Sequence, residues 1–145
     1  MQGRPARGWL PILAVLGVIV LLGITVYAKQ QAQPVATTSE LPETQLARLL
    51  AQGKPTLAFY HSNTCDQCIQ MTRIVQQVYP EFAGSVALVD VNVYDNRNTI
   101  LLQKVRIRYI PTLIFYDRAG QAQTSVGVME PTTLRQQLQA LRGGQ

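Results

Sequence analysis

Between residues 41 and 142 the apolar positions follow two rhythms, one with the spacing of helices and one with the short runs and alternations of strands. Leu46, Leu49 and Leu50 stand at i, i+3 and i+4 behind Pro42, which suits a first helical turn, and Gly53 with Pro55 ends the pattern. The run TLAFY, Thr56–Tyr60, is continuously apolar after a turn and predicts a buried strand. Cys68, Met71, Thr72, Val75, Val78 and Tyr79 then recur at helical spacing as far as Pro80, predicting a helix whose first turn carries Cys65 and Cys68. In SVALVDVNV, Ser85–Val93, the residues Val89, Val91 and Val93 alternate with Asp90 and Asn92 as in a strand. A shorter helix is predicted around Thr99–Val105, followed by a hairpin of TLIFYD and QTSVGV about the RAG turn. The last helix opens at Pro131, aligns Leu134, Leu138 and Leu141, and stops at Gly143-Gly144. Strands separated by helices require crossovers, so the fold class is α/β with a mixed central sheet covered on both faces.

A different pattern precedes this domain. Gly8–Ala28 contains no charged residue and is long enough to cross a hydrocarbon core of roughly 30 Å as a helix. A signal peptide has a shorter apolar region, of about 7–15 residues, which favours an uncleaved anchor, whereas Val26 and Ala28 would suit cleavage after Ala28. Arg4 and Arg7 lie before the apolar run and only Lys29 follows closely, which puts the N-terminus in the cytoplasm and the rest outside it on either reading. KQQAQPVATTSE, Lys29–Glu40, is polar, contains Pro34 and lacks apolar periodicity, so it reads as a tether. The expected organisation is a cytoplasmic tail at 1–8, a transmembrane helix or signal peptide at 9–28, a linker at 29–40 and a domain at 41–145.

Charge adds an exclusion. The chain holds 13 Lys and Arg against 8 Asp and Glu, and Arg4 and Arg7 belong to topology. The remaining surplus is scattered singly, without a basic run or interleaved aromatics, and gives no support to nucleic-acid binding.

The chemistry is concentrated in FYHSNTCDQCI, where the chain's two cysteines stand two residues apart. A closed zinc site normally takes four ligands, and with His61 as the single histidine it would have to recruit acids. A purely structural disulfide here would close so short a loop that little unfolded-chain entropy is removed. A redox couple fits the spacing better: the N-terminus of a helix favours a thiolate at Cys65, and Cys68 lies one turn inside. Cys65 is then the attacking sulfur and Cys68 the resolving one. Pro111, in YIPTL, marks a strand start, an edge or a turn, sometimes with a cis bond.

In order, CDQCIQMTRIVQQV, VALVDVNVYDN, VRIRYIPTLIFYDRAGQ and VGVMEPTTLRQQLQAL resemble the thioredoxin family over about residues 41–142. The closer similarity is to membrane-tethered bacterial thioredoxin-like proteins working outside the cytoplasm. The resemblance implies a thioredoxin-like fold preceded by one transmembrane helix, and an enzyme, a protein disulfide oxidoreductase. It implies Cys65 as nucleophile, Cys68 as resolving cysteine, Pro111 as a cis proline facing them, and the Ile110 main chain as a binder of substrate peptide. Departures are equally plain. The family's WCGPC is here TCDQC, and its buried acid in the preceding strand is replaced by Ala58 or Phe59, leaving His61 or water to take the proton of the resolving thiol. Asp66 beside Cys65 opposes its thiolate and so weighs toward a reductase over an oxidase.

No cofactor beyond the redox-active cysteine pair and no metal site is expected. The implied partners are disulfide-containing proteins, such as apocytochrome c or misoxidised exported proteins, together with the membrane and a transmembrane electron donor. The expected location is the bacterial inner membrane, on its periplasmic side or outside. The alternative is a non-catalytic binding module, or a copper(I)-binding protein, in which the cysteine pair is incidental.

Overall fold

The computed structural model describes residues 40–144, so the expected tail at 1–8, membrane helix or signal peptide at 9–28 and all but the last residue of the linker lie outside the described residues. Helix α1 spans Pro42–Ala51, with proline in the first turn, where its missing N–H leaves no bond unmade. Gly53, at φ 60°, takes the left-handed conformation that ends this helix, and a Cβ there would meet the Arg118 carbonyl oxygen at 3.2 Å. The chain then enters β1, Thr56–His61, followed by α2, Asp66–Val78. Strand β2 (Ala87–Asn92), helix α3 (Thr99–Val105), the hairpin strands β3 (Thr112–Tyr116) and β4 (Ala122–Val126), and helix α4 (Pro131–Gly143) complete the domain.

The four strands lie in the order β2-β1-β3-β4. β1 and β2 are parallel, while β1 with β3 and β3 with β4 are antiparallel. This is the mixed sheet predicted, and α2 is the crossover that makes the parallel pair possible. Asp117 shapes the hairpin turn: its Oδ1 accepts from the Ala119 and Gln121 backbone N–H groups at 2.9 and 2.8 Å.

Side-chain alternation in β1 and β3 divides the core into two layers. Leu57, Phe59, Leu113 and Phe115 point to one face, where Met71, Val75 and Val78 of α2 and Leu134, Leu138 and Leu141 of α4 cover them. Ala58, Tyr60, Ile114 and Tyr116 point to the other, against Leu46 and Leu49 of α1 and Leu101 of α3. Both faces of β1 are therefore dry, which is why TLAFY has no polar partner phase.

The structure shifts several sequence-based boundaries. β2 begins at Ala87 rather than Ser85 and ends at Asn92, and β4 runs from Ala122 to Val126 where the sequence predicts 123–128. Two short 3-10 turns, Tyr79–Glu81 and Asn96–Asn98, flank β2; the first follows from Pro80, which cannot donate the next helical hydrogen bond. Cys65 is the N-cap of α2 rather than a residue of its first turn.

Replacement of the fully buried Leu138 by alanine is expected to cost about 2–5 kcal/mol in urea unfolding, through lost apolar burial and an unfilled cavity. Ile100→Ala, at a side chain 57% exposed, should stay within about 0.5 kcal/mol of the parent.

Candidate active site

The edge of the sheet where β1 ends and β3 begins gathers the chemistry. After His61 the chain turns through Ser62–Cys65, and the buried Ser62 hydroxyl accepts from the Thr64 N–H at 3.1 Å while contacting Thr64 Oγ1 at 2.9 Å. This local bonding fixes the approach to α2. Cys65, with extended backbone at φ −108° and ψ 119°, takes the N-cap position, and its Sγ accepts from the Cys68 N–H at 3.3 Å. A sulfur thus occupies the place usually held by a serine or aspartate oxygen.

The two cysteines are free thiols in unlike surroundings: Cys65 is partly exposed and Cys68 is buried. Burial pushes the Cys68 thiol up to about 11, the adjacent Cys65 sulfur adds to the rise, and the Ser62 N–H directed at Cys68 works against it. Cys68 is therefore a protonated thiol at neutral pH. Cys65 is reachable, receives one N–H and stands at the positive end of the α2 dipole, which suits a nucleophile. Asp66, in the first turn, is exposed, so water screens its charge.

Antiparallel pairing aligns Tyr60 with Thr112, which sets Pro111 beside the end of β1, level with His61. The Ile110–Pro111 peptide bond is cis. The Pro111 carbonyl accepts from Gly127 N–H at 2.8 Å, and Thr112 Oγ1 donates to the Tyr109 carbonyl at 2.7 Å, tying the loop to β4 on one side and to itself on the other. Ile110 is half-buried and lines, with Val93, Leu102, Ile107 and Tyr109, an open cavity of about 290 Å³.

His61 sits in the same phase of β1 as Leu57 and Phe59, on the α2 side of the sheet. Its ring stacks on Phe59 with centroids 4.7 Å apart, and its Nε2 meets Asp90 Oδ1 at 2.6 Å. Of the two residues standing in for the family's buried acid, Phe59 faces α2 and Ala58 faces the opposite layer. The sequence analysis singled out His61 without its partner. Asp90 stands in β2 next but one to Asn92, the residue in register with His61, and it shares the face of His61; the polar phase of VALVDVNV was the available signal. Among the described residues no group of three or more His, Cys, Asp or Glu side chains could hold a metal ion.

A family model described as a thioredoxin-like domain matches residues 42–142. A relative from Synechocystis sp., a thiol:disulfide interchange protein TxlA homolog, is 25% identical over 94% of this chain and 77% of its own length. The thioredoxin of Haemophilus influenzae is 32% identical over 55% of this chain and 73% of its own length. Among solved structures, chloroplastic thioredoxin z shares the fold at a TM-score of 0.60 with 23% identity, covering 69% of this chain and 89% of the other.

Iodoacetamide at neutral pH is expected to label Cys65 and spare Cys68 in the folded, reduced protein, with equal labelling only after unfolding; mass spectrometry of the Asp66-containing peptide reads the result. The raised Cys68 value also has a sign in stability. The unfolded thiol ionises near 9 and the folded one near 11, so its contribution is complete below about pH 9 and is lost as pH rises toward 11. The urea midpoint of the reduced protein should fall across that window, and Cys68→Ala should flatten the fall.

Proposed function

We propose, from the premise that this chain belongs to the thioredoxin-like domain family, that it is a membrane-tethered enzyme reducing or exchanging disulfides of proteins outside the cytoplasm. That it is a disulfide oxidoreductase acting on disulfide-containing substrates accords with relatives named thioredoxin and thiol:disulfide interchange protein. The observation that carries the chemistry is the asymmetry of the cysteine pair, one sulfur capping α2 and partly exposed, the other a buried thiol whose N–H points at the first.

In the forward cycle the Cys65 thiolate attacks a client disulfide, one client sulfur leaves as thiolate and is protonated, and a mixed disulfide joins Cys65 to the other. Cys68, deprotonated, attacks Cys65 Sγ; the Cys65–Cys68 bond forms as the bond to the client breaks. Two electrons pass from the cysteine pair to the client. The loop at Ile110 and Pro111, level with the end of β1 and with the half-buried Ile110, suits an extended client segment laid along it as an added strand.

The membrane tether rests on the uncharged stretch Gly8–Ala28 and the arginines before it. The similarity to the Synechocystis protein, which takes in 94% of the chain, extends over that stretch and supports treating it as part of the working protein. Among the described residues no helix is long and apolar enough to cross a membrane. A reductant outside the cytoplasm must be recharged, so a membrane-embedded thiol donor is the partner class proposed. The carboxylate of Asp66 beside the attacking sulfur, though screened by water, weighs toward the reducing direction.

Cys68→Ala should accumulate mixed disulfides between Cys65 and client proteins, visible as higher-mass bands that dithiothreitol collapses, and Cys65→Ala with Cys68→Ala should show none. If the double variant retained the same clients, the protein would be a binding module and the redox reading would fall.

A further inference from the structure

The sheet has two edges, β2 and β4, and they are finished differently. On β2 the odd-numbered residues turn their amides to β1: the Ala87 N–H donates to the Pro55 carbonyl at 2.8 Å and the Val93 N–H to the His61 carbonyl at 2.9 Å. The even-numbered residues therefore face outward, and side chains occupy their carbonyls. Tyr79 Oη donates to Val86 O at 3.1 Å, Gln45 Nε2 to Leu88 O at 3.3 Å and Asn98 Nδ2 to Asn92 O at 2.9 Å. An edge plugged in this way offers little to an incoming strand.

β4 has no such cover. The Asp117 N–H bond to Gln121 O at 3.0 Å and the Gly127 N–H bond to Pro111 O at 2.8 Å set the odd-numbered residues of this strand toward β3. The N–H and C=O groups of Ala122, Thr124 and Val126 then point away from the sheet, and among the described residues nothing bonds to them. The strand reads AQTSV, without the charge or proline that keeps an edge from pairing. All three outward residues are exposed, Val126 to 56%.

The strand is also its own complement. A two-fold contact between identical strands is antiparallel. Centred on Thr124, it sets Thr124 opposite Thr124 and Ala122 opposite Val126, the register in which all the outward residues meet one another and each facing pair exchanges two hydrogen bonds. Small meets larger at the flanks, a threonine pair stands on the axis, and no like charges are opposed. The ends agree as well. Arg118, in the turn before β4, and Glu130, beyond its end, are exposed and make no ion pair among the described residues. Antiparallel pairing brings the Arg118 end of one copy to the Glu130 end of the other.

We infer that β4 is a self-association surface: two copies of this chain join edge to edge through Ala122–Val126 into one continuous sheet. The axis is normal to the sheet, so α1 and α3 of both copies share one face and α2 and α4 the other. β3 stands between β4 and β1, whose end leads into the cysteine turn, so pairing uses a strand that the thiol chemistry does not. The inference is independent of the exchange reading.

Sedimentation equilibrium of the reduced full chain in detergent micelles, over a range of concentrations, should show a monomer–dimer equilibrium. Thr124→Lys puts two like charges on the axis and should raise the dissociation constant by about tenfold or more. Arg118→Glu should also weaken the dimer, and Arg118→Glu with Glu130→Arg should restore it. Register is read separately, in a Cys65→Ser, Cys68→Ser background. There Thr124→Cys should give a covalent dimer on mild oxidation, since Cα atoms of such a facing pair lie about 5.5 Å apart, within disulfide reach. Ser125→Cys, which faces Gln123 of the other copy, should give little. A parent that stays monomeric, a dimer that Thr124→Lys leaves intact, or equal cross-linking at 124 and 125 would overturn the inference. Disulfide exchange should run at the parent rate in Thr124→Lys, so the loss of either reading leaves the other standing.

Discussion

Everything at the active edge depends on β1 being hydrogen-bonded on both sides and buried on both faces. Strand β2 runs parallel to it and β3 antiparallel, so its end is fixed from two directions. All six residues, Thr56–His61, are buried. Burial of side chains such as Leu57 and Phe59 contributes about 1.5–3 kcal/mol each, and the strand cannot slip by one residue without sending each of them to the wrong layer. The position of the turn that follows is thereby set to within a bond or two. Parallel pairing with β2 demands a crossover, the crossover is α2, and the start of α2 falls where β1 stops. The cysteines are placed by that chain of necessities rather than by contacts of their own.

From this placement comes the division of labour between two identical side chains. Cys65 sits before the helix, where four N–H groups lack helical partners and the dipole is positive; Cys68, three residues on, lies on the inward face. A separation of three residues on a helix is close to one turn, near enough for the Cys68 N–H to reach Cys65 Sγ at 3.3 Å, while exposing one sulfur and burying the other. The same burial that shields Cys68 from adventitious oxidants raises the cost of ionising it, so its proton leaves less readily than that of an exposed thiol.

Much of this was legible in the sequence because it follows from period alone. The helical spacing of Val75 and Val78, the apolar run of β1 and the alternation in β2 each report burial on a known face, and the order of elements gave the mixed sheet. Cys65 and Cys68 were found by spacing, Pro111 by its place at a strand start and Ile110 by resemblance, and the strand register then set Pro111 level with His61. The cis bond could not be read from proline itself, which allows either isomer. Nor could the Asp90 contact, made across 29 residues of sequence: it depends on the parallel register of β1 and β2, a non-local quantity that no local window encodes. The short 3-10 turns and the trimmed ends of β2 were missed for a local reason, since element ends are set by caps and prolines whose outcomes differ by a residue or two.

The place where the residues depart most from the pattern they resemble also holds one of the buried polar atoms that the structure leaves without a partner. A phenylalanine replaces the acid under the helix, and two residues further along the same strand face a histidine appears, buried, stacked on that phenylalanine and bonded to an aspartate. Period-two geometry makes the coincidence meaningful: only positions 57, 59 and 61 of β1 look toward α2, so a polar side chain missing at 59 can stand on that face of the strand only at its neighbours in phase. Leu57 lies deeper in the apolar layer, where an ionisable group would face a prohibitive desolvation cost. Position 61, at the rim beside the exposed Asp90 carboxylate, is the in-phase site where a polar ring finds a hydrogen-bond partner instead of being stranded in the apolar layer.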